Sequence, residues 1–156
     1  MSRYFFSLPT ETISLEASTG IFGSLIKAMN FDDRTRNHLN IIVSELFTNA
    51  FIHGNEGDPQ KRIDVEILIL ADDIRIRIWD EGEKLDNAEF ERVCNKIPEQ
   101  YGEGGRGIAI VQKLSDKLCM FRDESGRCCI ETILMGNSLK RRTELSKSDK
   151  GMKEDK

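Results

Sequence analysis

The sequence predicts a two-layer α/β (α+β) sandwich, in which a mixed, mostly antiparallel sheet carries helices on one face. Residues 32–53 show an uninterrupted helical pattern of apolar side chains. Residues 63–70 and 74–79 alternate between apolar and polar side chains, as half-buried strands do. The full order of predicted elements is β-α-α-β-β-α-β-β, which gives a sheet whose helices cover only its apolar face.

The N-terminal part of the chain is predicted to hold one strand and two helices. Residues 2–8 form the strand, and residues 11–29 form the first helix. The second helix, over 32–53, begins at a capping aspartate and ends at the glycine-containing loop 54–59. Its core positions follow the i, i+3, i+4, i+7 spacing: Leu39, Ile42, Val43, Leu46, Phe47, Ala50 and Phe51.

The strands 63–70 and 74–79 are separated by three residues, 71–73, which is short enough for a hairpin. Pairing them would place an acidic outer row beside a basic one, a favourable cross-strand arrangement. The side chains concerned are Asp64 and Glu66 on one strand, Arg75 and Arg77 on the other.

The rest of the chain is predicted to complete the sheet. A short helix over 87–95 and a loop over 97–106 precede a helix over 107–116. The strands 118–121 and 128–134 follow as a second hairpin.

The composition is that of an ordinary globular protein, with 156 residues, 38% hydrophobic and 32% charged. We expect one domain over 1–136 and a charged, disordered tail over 137–156. No apolar run approaches the roughly 20 residues that cross a bilayer, and the N-terminus is apolar too briefly for a signal peptide, so we expect a cytoplasmic protein without membrane contact. Residues 138–156 hold seven Lys/Arg and four Asp/Glu, so the net charge of −4 leaves −7 on the remainder. An acidic body argues against direct nucleic-acid binding.

The four cysteines, Cys94, Cys119, Cys128 and Cys129, form no Cys-x-x-Cys pair, and only two histidines accompany them. Neighbouring residues of a strand point to opposite faces, so Cys128 and Cys129 are poorly placed to share a metal. We interpret all four as reduced packing residues.

Glu45, Asn49 and His53 form a polar stripe beside the apolar stripe of the second helix, at i, i+4 and i+8. Oxygen ligands one turn apart suit Mg²⁺, which keeps several waters and takes few protein oxygens. A solvated helix edge explains the same spacing equally well. His53 is interpreted as a C-terminal helix residue that local carbonyls satisfy, rather than as a ligand.

Asp80 directly follows the strand 74–79 and falls by alternation on its apolar face. A carboxylate on a buried face needs a partner, which a ligand with an NH₂ group would supply. Gly82 would let that ligand approach the backbone closely. The alternative is an ordinary strand-end turn.

Residues 102–107, Gly-Glu-Gly-Gly-Arg-Gly, contain a Gly-x-Gly-x-x-Gly pattern. No strand precedes it, which excludes a dinucleotide-binding fingerprint, and no Lys-Ser/Thr pair follows, which excludes a Walker A loop. Glycines immediately before a helix nevertheless favour anion binding, and Arg106 adds a positive charge. A surface loop remains the alternative.

Taken in order, residues 44–54, 80–82 and 104–108 closely resemble the N box and the two glycine boxes of the histidine-kinase-like ATPase superfamily. The chain looks most like the small anti-sigma factor serine/threonine kinases, and the resemblance covers about residues 4–135. It implies a histidine-kinase-like ATPase fold, with ATP and Mg²⁺ as cofactors.

The resemblance also implies roles for individual residues. Glu45 matches the general base and Asn49 the Mg²⁺ ligand, while Asp80 and Gly82 match the adenine-binding pair. Thr132 matches a threonine of the adenine pocket. The residues that match the phosphate-wrapping segment are Gly104, Gly105, Arg106 and Gly107.

The match departs from the superfamily pattern Asp-x-Gly-x-Gly after Gly82, because Glu83 is followed by Lys84 where the pattern has its second glycine. The resemblance implies a kinase that binds a sigma factor, phosphorylates a STAS-domain anti-anti-sigma protein and forms homodimers. Two alternatives are a nucleotide-gated binding module without useful kinase activity and a bare ATP hydrolase.

Overall fold

The structure is a computed structural model that describes residues 1–83, 106–136 and 139. The predicted order β-α-α-β-β-α-β-β is confirmed for these residues. The elements are β1 Ser2–Pro9, α1 Thr12–Ala28, α2 Asp33–Asn49, β2 Arg62–Ile69, β3 Asp73–Asp80, α3 Arg106–Leu114, β4 Lys117–Arg122 and β5 Cys128–Met135. The predicted helix 87–95, almost all of the loop 97–106 and nearly the whole tail 137–156 lie outside the described residues.

The strands form one sheet in the order β1-β2-β3-β5-β4. We expected a mixed sheet, yet all the described pairings are antiparallel. The hairpins β2–β3 and β4–β5 account for two of them, and the first is closed by a hydrogen bond from Leu70 N to Asp73 O of 2.8 Å. The central strand β3 therefore ends between β2 and β5, with both of its edges paired.

One face of the sheet packs against all three described helices. The core-facing side chains of β2 and β3 that are at most 2% exposed belong to one cluster with the buried side of α2: Ile63, Val65, Ile67, Ile74, Ile76 and Ile78. The helices contribute Phe22, Ile26, Leu39, Ile42, Val43, Leu46, Phe47, Ile108 and Val111 to this core. Burying a side chain of this size stabilises the fold by about 1.5–3 kcal/mol. The core thus packs α2 against β3, the two elements that carry the predicted site residues Glu45, Asn49 and Asp80.

The other face of the sheet carries the predicted charged rows. Glu66 lies opposite Arg77 and pairs with it at 3.2 Å, which confirms that part of the expectation. Asp64, by contrast, lies opposite Trp79 and pairs with Arg127, beside the β4–β5 turn. The reason is register: the strands pair two residues away from the alignment that would match both acidic residues with arginines.

The second helix begins and ends as its chemistry predicts, with one irregularity. Asp32 caps α2, because its Oδ1 accepts a hydrogen bond from Thr35 N at 2.8 Å. After Asn49 the helix widens into a π-helical turn, Ala50–Gly54, closed by Asn55 N donating to Ala50 O at 2.7 Å. Such turns are rare and often lie at functional sites.

Cys128 and Cys129 are buried free thiols, in agreement with a packing role, whereas Cys119 is exposed and packing does not explain it. Cys94 lies outside the described residues. No helix among the described segments has the length and apolar character needed to cross a membrane.

Candidate functional site

Glu45 and Asn49 are both half-buried at the edge of α2, next to the fully buried Leu46 and Phe47. Their spacing of four residues places the side chains one turn apart on the same side of the helix. His53 follows on the exposed side of the π-helical turn. Glu45 and Asn49 therefore lie at a half-buried edge of α2, whereas His53 is exposed.

The carboxylate of Glu45 reaches the first turn of α3. A Cβ atom at position 107 would lie only 2.5 Å from Glu45 Oε2, so Gly107 is required for this contact. The N-terminus of a helix carries a partial positive charge, which favours a carboxylate there. Arg106, exposed, is the first residue of α3. Two predicted site residues, Glu45 and Gly107, are thus brought together, whereas Gly104 and Gly105 lie outside the described residues.

Asp80 ends β3 on the core-facing side of the sheet and is 5% exposed. Its Oδ1 accepts a hydrogen bond from Gly82 N at 2.8 Å. Burial raises the pKa of Asp80, against opposing effects of the Gly82 hydrogen bond and the positive charges of Arg122 and Lys61. A carboxylate held in this way gains most from a hydrogen-bond donor brought by a ligand.

The walls beside Asp80 are made of backbone. A Cβ atom at position 54 would lie 2.3 Å from the Asp80 carboxyl carbon, and one at position 82 would lie 2.4 Å from Gly54 O. Both positions therefore require glycine. The sequence predicts Gly82 as a site residue, but at Gly54 its local pattern indicates only the end of a helix. Only the folded structure reveals that the π-helical turn carries it against the carboxylate.

A small cleft joins these groups. It is lined by Asn49, His53, Gly54, Asp80, Gly82, Met120, Cys128 and Ile130. The structure therefore brings three of the predicted site residues, Asn49, Asp80 and Gly82, to one cleft. His53, which the sequence indicates as a C-terminal helix residue, also lines the cleft.

On β5, Cys128 rather than Thr132 faces this cleft. Cys128 lies directly opposite Asp80 in the β3–β5 register and is 4% exposed. Thr132 is buried between Ile76 and Leu118, donates to Lys117 O at 3.2 Å, and is not among the described residues that line the cleft. Alternation places both residues on the same side of the strand, and only the strand register distinguishes them.

Burial raises the pKa of the Cys128 thiol to about 11, and the nearby Asp80 carboxylate shifts it in the same direction. The side chain is therefore a neutral, compact thiol at physiological pH. It can act as a pocket wall and as a weak hydrogen-bond donor.

This fold, with predicted site residues on α2, at the end of β3 and at the N-terminus of α3, matches a known family of domains. The family model for the histidine kinase-like ATPase domain matches residues 8–133. The chain belongs to this family.

Within the family, the chain is similar to anti-sigma kinases. It is 29% identical over 94 residues to an anti-sigma F factor of Anoxybacillus flavithermus, covering 59% of this chain and 64% of that protein. It is 31% identical over 93 residues to the serine-protein kinase RsbW of Listeria monocytogenes, covering 55% and 58%. An anti-sigma F factor of Clostridium perfringens is 33% identical over 85 residues, covering 53% and 60%. The matches thus span about three-fifths of the length of these relatives.

Solved structures show the same fold at low sequence identity. The catalytic domain of histidine kinase ThkA has a TM-score of 0.55 at 15% identity, covering 87% of this chain and 98% of that one. A SiaB–SiaC complex from Pseudomonas aeruginosa gives a TM-score of 0.56 at 13% identity, covering 84% and 88%. These likenesses establish the architecture.

Proposed function

We propose that this protein is an ATP- and Mg²⁺-dependent serine/threonine protein kinase that acts as an anti-sigma factor. The observation that carries the proposal is the buried carboxylate of Asp80, which lines the same cleft as Asn49. Asn49 lies on the same helix as Glu45. The serine-protein kinases and anti-sigma F factors among its relatives support the same activity.

The base subsite is formed around Asp80. Its carboxylate is buried and accepts a hydrogen bond from Gly82 N, and its remaining lone pairs suit the exocyclic amino group of adenine. Gly54 and Gly82 leave backbone-lined space beside it, and Cys128 closes the side formed by β5. Thr132 lies further along β5, and its role in the adenine pocket stays a prediction.

The phosphate and metal subsite is formed by Asn49 and the first turn of α3. Among the described residues, no three His, Cys, Asp or Glu side chains cluster. This fits Mg²⁺, which keeps waters and nucleotide oxygens and needs few protein ligands, here the Asn49 amide oxygen. When bound, the metal neutralises phosphate charge. Arg106 and Gly107 at the helix N-terminus, with Gly104 and Gly105 before them, would hold the phosphates.

Glu45 is the proposed general base. Its carboxylate, set against the start of α3, would orient the hydroxyl of a substrate serine or threonine and accept its proton as the phosphoryl group is transferred.

The proposed protein partners are a sigma factor, which the protein sequesters, and a STAS-domain anti-anti-sigma protein, which it phosphorylates. A homodimer is also part of the proposal, and nucleic acid and membrane are not. We assign the activity to a domain over 1–136, which includes the residues 8–133 that the family model matches.

Two measurements on the wild type test the proposal. Isothermal titration of ATP with Mg²⁺ and then with EDTA should give micromolar binding that depends on Mg²⁺. Incubation with radiolabelled ATP and the STAS-domain proteins of the same genome should then label one of them, and Glu45→Gln should abolish the labelling. Binding without transfer to any of them would leave a nucleotide-gated binding module. No binding under either condition would refute the nucleotide site.

A further inference from the structure

Asn55 is a fully buried polar residue that directly follows the π-helical turn. Its Nδ2 donates to Thr10 Oγ1 at 2.7 Å and to Arg62 O at 2.9 Å. Its Oδ1 accepts from Glu81 N at 2.7 Å. Both amide hydrogens and the amide oxygen are therefore used, and no other side chain of this size supplies that combination.

The bond to Glu81 acts on the base subsite, because Glu81 lies between Asp80 and Gly82. Fixing the Glu81 N–H fixes the plane of the peptide that joins it to Asp80. Glu81 is held a second time, since its Oε1 accepts from Arg62 N at 2.7 Å. The Arg62 carbonyl in turn accepts from Asn55, so the three residues form a closed set of hydrogen bonds.

Asn55 also holds the opposite wall of the cleft. It is covalently attached to Gly54, whose backbone lies against the Asp80 carboxylate and against Gly82. One buried amide thus joins the two backbone segments that define where the carboxylate of Asp80 points.

We infer that Asn55 is a positioning residue that sets how strictly the site distinguishes 6-amino purine nucleotides from 6-oxo purine nucleotides. This inference rests on the proposed function. A 6-amino group donates to the Asp80 carboxylate, whereas a 6-oxo group presents lone pairs to it. Discrimination of this kind requires the carboxylate to be aligned, because a hydrogen bond weakens steeply when its angle falls.

The test compares the Kd values of ADP and IDP, measured by isothermal titration with Mg²⁺ at constant salt. In the wild type we expect ADP to bind at least about tenfold more tightly than IDP, as for a hydrogen bond to a charged group. Asn55→Ala should bring this ratio close to one. Thr10→Val is the matched control, because it removes the hydroxyl that Asn55 contacts, and costs stability, but leaves the bond to Glu81. It should keep the wild-type ratio.

The ratio separates positioning from stability. If Asn55→Ala weakens both nucleotides by the same factor, or neither, Asn55 has only a structural role and the inference is wrong. If Asn55→Ala is unfolded by circular dichroism, the double variant Thr10→Val/Asn55→Leu replaces both side chains of the Thr10–Asn55 hydrogen bond with apolar groups and fills the space that alanine leaves. The same loss of discrimination is expected there, and a wild-type ratio would overturn the inference. A wild type that binds neither nucleotide would instead refute the proposed function itself.

Discussion

The backbone of Gly107 lies against the carboxylate of Glu45, so closely that a Cβ atom at position 107 would lie 2.5 Å from Oε2. The proposed general base and the start of the phosphate-binding helix are therefore in direct contact. Their relative position depends on the absence of a Cβ atom at position 107.

Gly107→Ala should displace Glu45 and slow phosphoryl transfer. A misplacement of about 1 Å in a reacting group lowers the rate roughly 100-fold, and we expect a loss of this size in kcat. The proposed base subsite around Asp80 does not include position 107, and alanine keeps the backbone N–H that the proposed phosphate subsite uses, so the Kd of ATP should change by much less. Single-turnover transfer to the STAS-domain substrate and titration of ATP measure the two separately. Equal losses in both would contradict the assignment of Glu45.

Gly20→Ala is the matched control for glycine substitution. Gly20 lies inside α1, and a Cβ atom there meets nothing within 4 Å. Alanine has the higher helix propensity by about 1 kcal/mol, so this variant should raise the free energy of unfolding by up to that amount. Chemical denaturation measures it. Nucleotide affinity should equal that of the wild type, and a destabilised variant would show that α1 is packed differently.

Gly54→Ala should abolish nucleotide binding. Its Cβ atom would lie 2.3 Å from the carboxyl carbon of Asp80, so either the carboxylate or the π-helical turn must move. Overpacking of this kind typically costs about 1–3 kcal/mol of stability. Thermal unfolding and ATP titration should both show the loss. Normal ATP affinity in this variant would place the base elsewhere than beside Asp80.

Asp80→Asn should reveal opposite effects on stability and binding. Burial raises the pKa of Asp80 in the folded protein, so the folded state binds a proton more readily than the unfolded state. Wild-type stability from this group therefore falls as the pH rises from the ordinary aspartate pKa through the raised one. Asparagine has no charge to bury and keeps an oxygen for Gly82 N, so the variant should be the more stable protein at pH 7. The difference should vanish below the ordinary pKa.

The same substitution should weaken ATP binding by about tenfold to 100-fold, because it removes a charged acceptor. Urea unfolding over a pH series and ATP titration at pH 7 test the two halves. A variant that is less stable than the wild type at pH 7 would show that the carboxylate is stabilised by its surroundings.

The sequence predicts the elements, and it selects several residues that the structure brings together, because both depend on local patterns. The apolar spacing from Leu39 to Phe51 defines α2, and that helix places Glu45 and Asn49 one turn apart wherever it packs. The contact between Gly54 and Asp80 could not be predicted, because it depends on a π-helical turn and on which edge of β3 meets it. Neither leaves a local signature.

Strand register explains another difference between sequence and structure. Thr132 and Cys128 share one side of β5, so alternation alone cannot choose between them. The choice follows from the long-range pairing of Cys128 with Asp80. The hydrogen bonds of the buried Asn55 could not be predicted from the sequence either, because its partners Thr10 and Glu81 are distant from it along the chain.

Cys128 and Cys129 offer an internal comparison for the base subsite. Both are buried on β5, but Cys128 faces the cleft opposite Asp80, whereas Cys129 lies opposite Trp79 on the other side of the sheet. Cys128→Leu adds bulk to the cleft wall and should weaken ATP binding by more than tenfold, on the order of the 1–3 kcal/mol typical of overpacking. Cys129→Leu adds the same bulk, should cost comparable stability, and should leave the Kd of ATP within about twofold of wild type, since its side chain lies on the other face of the sheet. Titration of ATP into folded variants, with thermal unfolding in parallel, distinguishes them. Equal affinities for the two variants would show that β5 does not line the base subsite.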